Sequence, residues 1–345
     1  MATDSEGAME VTDRDPEGFI VQNRLRASLR GAVVVAVIAM LCGVVPLGHG
    51  PRASAAPIAI DVQVGDGPGQ GFNDPVLGPQ RLSAMRSAAR IWGRFFVASF
   101  PGETVHVLVQ MVPTLDGFGA KTTVSATSVS TGVGDVTVQR PIAEHVAGRE
   151  LFDGVDAVIQ FSEDVPFFLE PTGNPGDRLD FVTLALHEMG HVFGFISNMQ
   201  ADGVFNGAAF GPIPNLYDLF VRDATGVPLI FLSPAQRAAA ATSGTGLLWG
   251  GAAATAANGG TRPNLSAGNP FLEATSVIHL SESFFPGDVL LDAGLLPGEV
   301  IRRLGPVERG MFEDMQWTLA PVPELSALML LAVGVVGILG GRRYR

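Results

Sequence analysis

The stretch DFVTLALHEMGHVFGF, from Asp180 to Phe195, sets two histidines four residues apart, with a glutamate directly after the first. Few conformations suit it. Asp180 is placed to cap a helix, Phe181, Leu184, Leu186 and Val192 give that helix apolar anchoring, and Gly194 lets the chain leave it through a left-handed turn. A helix rises about 1.5 Å per residue with about 3.6 residues per turn, so His187 and His191 share a face and can aim ring nitrogens at one ion about 2 Å away. Glu188 points to the neighbouring sector, where it can take a proton from a zinc-bound water without itself being a ligand. His187 and His191 are therefore the expected zinc ligands and Glu188 the expected catalytic base.

The rest of the chain reads as α+β. Arg81–Val97 carries Leu82, Met85, Ala89, Trp92 and Phe96 at helical spacing, after a loop-like Gly65–Gln80. Glu103–Met111 alternates Val105, Val107, Val109 and Met111 against more polar residues, the period of a strand, with His106 on the polar face. VSATSVSTGV and Asp156–Asp164 read as further strands. From about residue 200 to 310 the texture turns to Gly, Pro, Ala and Asn, and irregular structure is expected there. The organisation expected is an N-terminal subdomain over 57–198 carrying the histidine helix, and a loop-rich C-terminal subdomain over 199–320.

Both ends read as addressing segments. Residues 1–56 hold Arg24, Arg26 and Arg30, an apolar run from Gly31 to Leu47 and small residues at Ala53 and Ala55, as in an export signal cut by signal peptidase; retention as an anchor is the alternative. Cys42, the single cysteine of the chain, lies in that run, so zinc through cysteine is excluded for the remainder. Residues 321–345, with Pro323, Glu324, an apolar stretch from Leu325 to Leu339 and Arg342, Arg343 and Arg345 at the end, resemble the PEP-CTERM sorting tail. Leu325 stands where that motif has its second proline. The resemblance implies an exported protein held in the membrane through its terminus until an exosortase processes it; a plain hydrophobic anchor stopped by positive charge is the alternative.

Between the ends, 27 acidic side chains against 14 basic ones give residues 57–320 a net charge of −13. Such a surface repels nucleic acid and suits a soluble exported body that can also take calcium. Asp66, Asp74 and Asp116, in Gly-rich loops, are the calcium candidates, with solvated turns as the plainer expectation.

HExxHxxG resembles the metzincin metalloproteases, whose short signature puts a third histidine three residues after the glycine. Here that position is Ser197, a poor zinc ligand. Leishmanolysin-like members keep HExxHxxGF and insert a long segment before the third histidine. The one histidine downstream is His279, 88 residues after His191. By the same resemblance, to exported bacterial metalloproteases with PEP-CTERM tails, Leu291 takes the place of the Met-turn methionine and Ala293 that of its proline. GPGQGFNDP before the Trp92 helix, and Asn215–Gly226, fit that group as well.

The resemblance implies a metzincin-like mixed sheet with helices above the active-site helix, and a protein or peptide substrate. Read from residues alone, the third ligand stays open: Glu273 or Glu282 would complete a His-His-Glu site, and Asp218 or Asp223 a His-His-Asp one. His106 and His145 are expected to be satisfied surface histidines. The functional expectation is an exported zinc metalloendopeptidase; the alternative is a non-catalytic surface or matrix protein in which zinc only cross-links the lower half.

Overall fold

A computed structural model describes residues 56–206, 210–285 and 289–321. The expected signal and sorting segments lie outside these residues. None of the described helices is long and apolar enough to cross a membrane.

The fold is α+β around a mixed four-stranded sheet. Strands β1 (Ala59–Val64), β2 (Thr104–Val112), β3 (Ala120–Val124) and, later in the chain, β6 (Ala157–Ser162) lie in the order β1-β2-β6-β3. The first three run parallel and β3 pairs antiparallel with β6. Strand β2 behaves as its alternation requires, with Val105, Val107, Val109 and Met111 buried and His106 on the other face. Between β3 and β6 come a hairpin, β4 (Ala126–Thr131) with β5 (Gly134–Gln139), and the short helix α2 (Arg140–Ala147).

Helix α1 (Gly78–Gly93) crosses from β1 to β2. It starts earlier than its apolar spacing suggested, with Pro79 in the first turn where a missing N–H costs nothing, and ends where Gly93 meets the Ile58 carbonyl; a Cβ there would lie 2.7 Å from that oxygen. The two-stranded pair β7 (Phe167–Phe168) and β8 (Leu179–Asp180) leads into α3 (Phe181–Val192), every residue of which is buried. Helix α3 packs between α1 and β3.

The lower half is more regular than its composition suggested. Helix α4 (Pro234–Ala241) is started by Ser233, whose side chain accepts the Gln236 N–H while Gln236 reaches back to the Ser233 N–H. Strands β9 (Val221–Arg222), β10 (Leu247–Trp249) and β11 (Asn264–Leu265) form a small antiparallel sheet. Helix α5 (Ala252–Ala257), inside the Gly- and Ala-rich stretch, lies on α6 (Pro306–Asp314) so closely that a Cβ at Gly310 would come within 2.6 Å of the Ala254 Cα. Small residues here mark close helix contact rather than loop. A single apolar cluster runs from Ile58 to Trp317 and takes in Tyr217, Leu247, Trp249, Leu265 and Phe312 from this half, so apolar burial orders it.

Candidate metal centre

Helix α3 is fixed at both ends by groups its sequence supplies. At the start, the Asp180 carboxylate accepts the Thr183 N–H and hydroxyl, each at 2.7 Å, and is held by Arg302, whose second nitrogen donates at 2.8 Å. At the end, Phe195 N–H returns to the Gly190 carbonyl and Gly194 N–H to that of His191, both at 3.1 Å, with Gly194 at φ +103°. This is the paired bonding of a Schellman ending, which needs a left-handed residue at that position. A box of rings braces the same end: Trp92 stacks on Phe193 at 4.9 Å and donates to the Leu186 carbonyl, and Trp317 donates to the Phe193 carbonyl, both at 2.8 Å.

The turn after α3 also orients His191. It brings the Phe195 carbonyl to 2.6 Å from His191 Nδ1. His187 Nδ1 faces the Leu290 carbonyl at 2.8 Å, and His279 Nδ1 the Thr275 carbonyl at 3.0 Å. A carbonyl oxygen only accepts, so each Nδ1 carries the proton and each Nε2 is left with a bare lone pair. His279 arrives through a short ladder in which Ser266 N–H bonds the His279 carbonyl and Leu280 N–H bonds that of Leu291, both at 2.8 Å.

These three lone pairs converge. Ligating atoms of His187, His191 and His279 all lie within 4.8 Å of one another, the one such group of metal-binding side chains among the described residues. The His187 and His279 Nε2 atoms are 3.0 Å apart, with their rings stacked at 20° and that of His191 nearly perpendicular to both. Two unprotonated nitrogens at that distance repel. A tetrahedral ion with bonds of about 2.0–2.1 Å spaces its donors about 3.4 Å apart, against 3.0 Å for this pair. Adding a proton is disfavoured: burial, then the neighbouring His191, pull His187 down to about 3, and burial with the two other rings pulls His279 well below the ordinary range. Three neutral imidazoles with their outer nitrogens tied to carbonyls fit a first-row transition ion, and suit calcium poorly because it takes oxygen ligands.

Glu188 is buried beside the cluster. Its Oε2 accepts the Thr122 hydroxyl at 2.6 Å from β3, and burial raises its carboxyl, with His191 and the Thr122 bond acting the other way. Leu291 is fully buried against Gly190, where any Cβ would collide with its methyl groups. It thus lies under the helix turn that carries His187 and His191.

The other candidates fall elsewhere. Glu273 and Glu282 are exposed, and Asp223 closes its own turn by accepting from Thr225 and Val227. Asp218 is fully buried but accepts the Asn215 N–H at 2.8 Å and a bond from Ser197; burial lifts its carboxyl to about 7. Ser197 is therefore occupied with Asp218. Asp66 accepts the Phe72 and Met111 N–H groups, Asp74 those of Val76 and Leu77, and Asp116 is an exposed turn residue at φ 52°. His106 is half-exposed and meets Asp61 at 3.1 Å. His145 corrects the surface expectation: it is buried, 2.7 Å from Glu103 and accepting the Thr318 N–H, under the Trp317 ring. Thr122, Glu308 and the three carbonyls carry no motif, and only the tertiary fold brings them to the site.

No protein-family model matches the chain, and no curated protein matches it.

Proposed function

We propose that the chain is an exported zinc metallopeptidase of the metzincin-like kind, with His187, His191 and His279 as ligands and Glu188 as general base. The observation that carries this reading is the convergence of three unprotonated Nε2 atoms beside a buried carboxylate that is not one of the ligands. A purely structural site has no use for that carboxylate. Zinc bound there would supply a Lewis acid that polarises the scissile carbonyl and makes water more acidic. Glu188, held by Thr122 and made a stronger base by burial, takes the proton of the attacking water and hands it to the leaving amine. Carbon–oxygen bond formation and carbon–nitrogen cleavage then yield a carboxylic acid and an amine.

Export, release by signal peptidase and handling of the tail by an exosortase belong to the same proposal, as does membrane attachment through the termini before processing. Calcium does not, since Asp66 and Asp74 direct their carboxylates at backbone N–H groups.

A closed structural zinc site in a surface or matrix protein is the second reading, and the low exposure of the ligands, 3–7%, favours it. Hydrolysis of casein by the zinc-loaded chain, lost in Glu188→Gln with zinc still bound, supports the enzyme. Stoichiometric zinc without any hydrolysis supports the structural site.

A further inference from the structure

Glu308 is fully buried, and no ion pair reaches it among the described residues. It stands in the first turn of α6 and sends its two oxygens in different directions. Oε2 accepts the Gly305 N–H at 2.5 Å, which starts the helix; Oε1 leaves the helix and accepts the Leu291 N–H at 2.8 Å. That N–H belongs to the same peptide plane as the Leu290 carbonyl, and the Leu290 carbonyl is the acceptor of His187 Nδ1–H at 2.8 Å. A single amide therefore stands between a buried carboxylate and a metal-facing imidazole. Helix capping alone explains one oxygen and not the other.

The electrostatics of this arrangement run in one direction. A negative charge on the N–H side of an amide polarises it, so its carbonyl becomes a stronger acceptor. A stronger acceptor at Nδ1 raises the basicity of Nε2 and fixes both tautomer and ring angle. A buried carboxylate without a cationic side chain is costly, which burial expresses by lifting Glu308 to about 7. A divalent ion on the far side of the His187 ring would offset that cost, so carboxylate and ion would stabilise each other across the amide.

We infer that Glu308 is a positioning residue of the metal centre, acting on His187 through the Leu290–Leu291 peptide. The inference rests on the metal-binding part of the proposed function and adds a residue outside the ligand set.

The test compares wild type, Glu308→Gln and Glu308→Ala in the full chain, by chelator competition with zinc and by the visible absorption of the cobalt form. Unfolding midpoints of the metal-free proteins are recorded alongside. Glu308→Gln keeps the size and one acceptor oxygen, so it remains informative if the alanine variant does not fold. The expected result is a roughly 10- to 100-fold loss of zinc affinity in the glutamine variant and a shifted cobalt spectrum, out of proportion to any change in the metal-free midpoint. Wild-type affinity and an unchanged spectrum in Glu308→Gln would reduce the residue to a helix cap. Should the wild type itself bind neither ion, the metal centre falls and this inference with it, which separates the two failures.

Discussion

The Nε2 atoms of His187 and His279 stand 3.0 Å apart although 92 residues separate them along the chain. Both outer nitrogens are tied to carbonyls, so neither inner nitrogen has a proton to share. The contact is therefore repulsive unless a cation lies between them, and the chain keeps it by pairing Leu280 with Leu291, which packs on Gly190 of α3. His279→Ala should weaken zinc binding severely and lower the unfolding midpoint of the zinc-loaded protein, because ligand binding energy is part of its stability. Ser197→Ala should leave zinc affinity unchanged, since that hydroxyl serves Asp218. Equilibrium dialysis reads both. Loss of zinc in Ser197→Ala with retention in His279→Ala would invert the assignment.

Glu188→Gln should keep zinc and cut turnover by about 10²–10⁴. Thr122→Val, which removes the hydroxyl that aims the carboxylate, should cost less, on the order of tenfold, in kcat rather than KM. Casein or a quenched peptide provides the assay, with zinc content checked in each variant. Equal turnover in Thr122→Val and wild type would leave the 2.6 Å bond without a catalytic part.

Gly194 joins helix geometry to ligand orientation. At φ +103° a side chain is strained, and its Cβ would collide with Ile142. Gly194→Ala should destabilise the fold by about 1–3 kcal/mol. It should also weaken zinc binding by displacing the Phe195 carbonyl from His191 Nδ1. Thermal unfolding and zinc competition read the two effects, and a stable variant with normal zinc affinity would contradict both.

How much of this was legible depended on how local the cause was. Helix α3 could be read because its cap at Asp180, its apolar anchors and its exit at Gly194 lie within one stretch, and β2 because alternation is a property of neighbours. His145 was misjudged because Glu103, Trp317 and Thr318 bury it from a distance. The order of residues 242–260 was missed for a related reason: runs of alanine and glycine look like loop until Gly310 shows that α5 needs a thin partner. Thr122 and Glu308 had no pattern to announce them. Their roles come from β3 lying under α3 and from the start of α6 facing the 290–291 peptide, which are facts of packing.

Asp218 gives a pH test with a definite sign. Burial lifts its carboxyl from the ordinary range near 4 to about 7 in the folded protein. The folded state therefore holds the proton to higher pH than the unfolded state does. This group's contribution to stability is greatest at low pH and declines as pH rises from about 4 to about 7, by up to about 1.4 kcal/mol per pH unit. Asp218→Asn, which never ionises, should thus gain stability relative to wild type at pH 8 and show little or no gain at pH 4.5. Thermal unfolding at the two pH values checks it, and a pH-independent difference would place the carboxylate in a solvated setting.

X-ray absorption at the zinc edge of the purified, zinc-loaded chain addresses the central claim most directly. The expected shell is three imidazole nitrogens and one exchangeable oxygen donor from solvent at about 2.0–2.1 Å, reduced by one imidazole in His279→Ala. A shell filled by four protein ligands, or one that keeps all its imidazoles in His279→Ala, would contradict an open three-histidine centre.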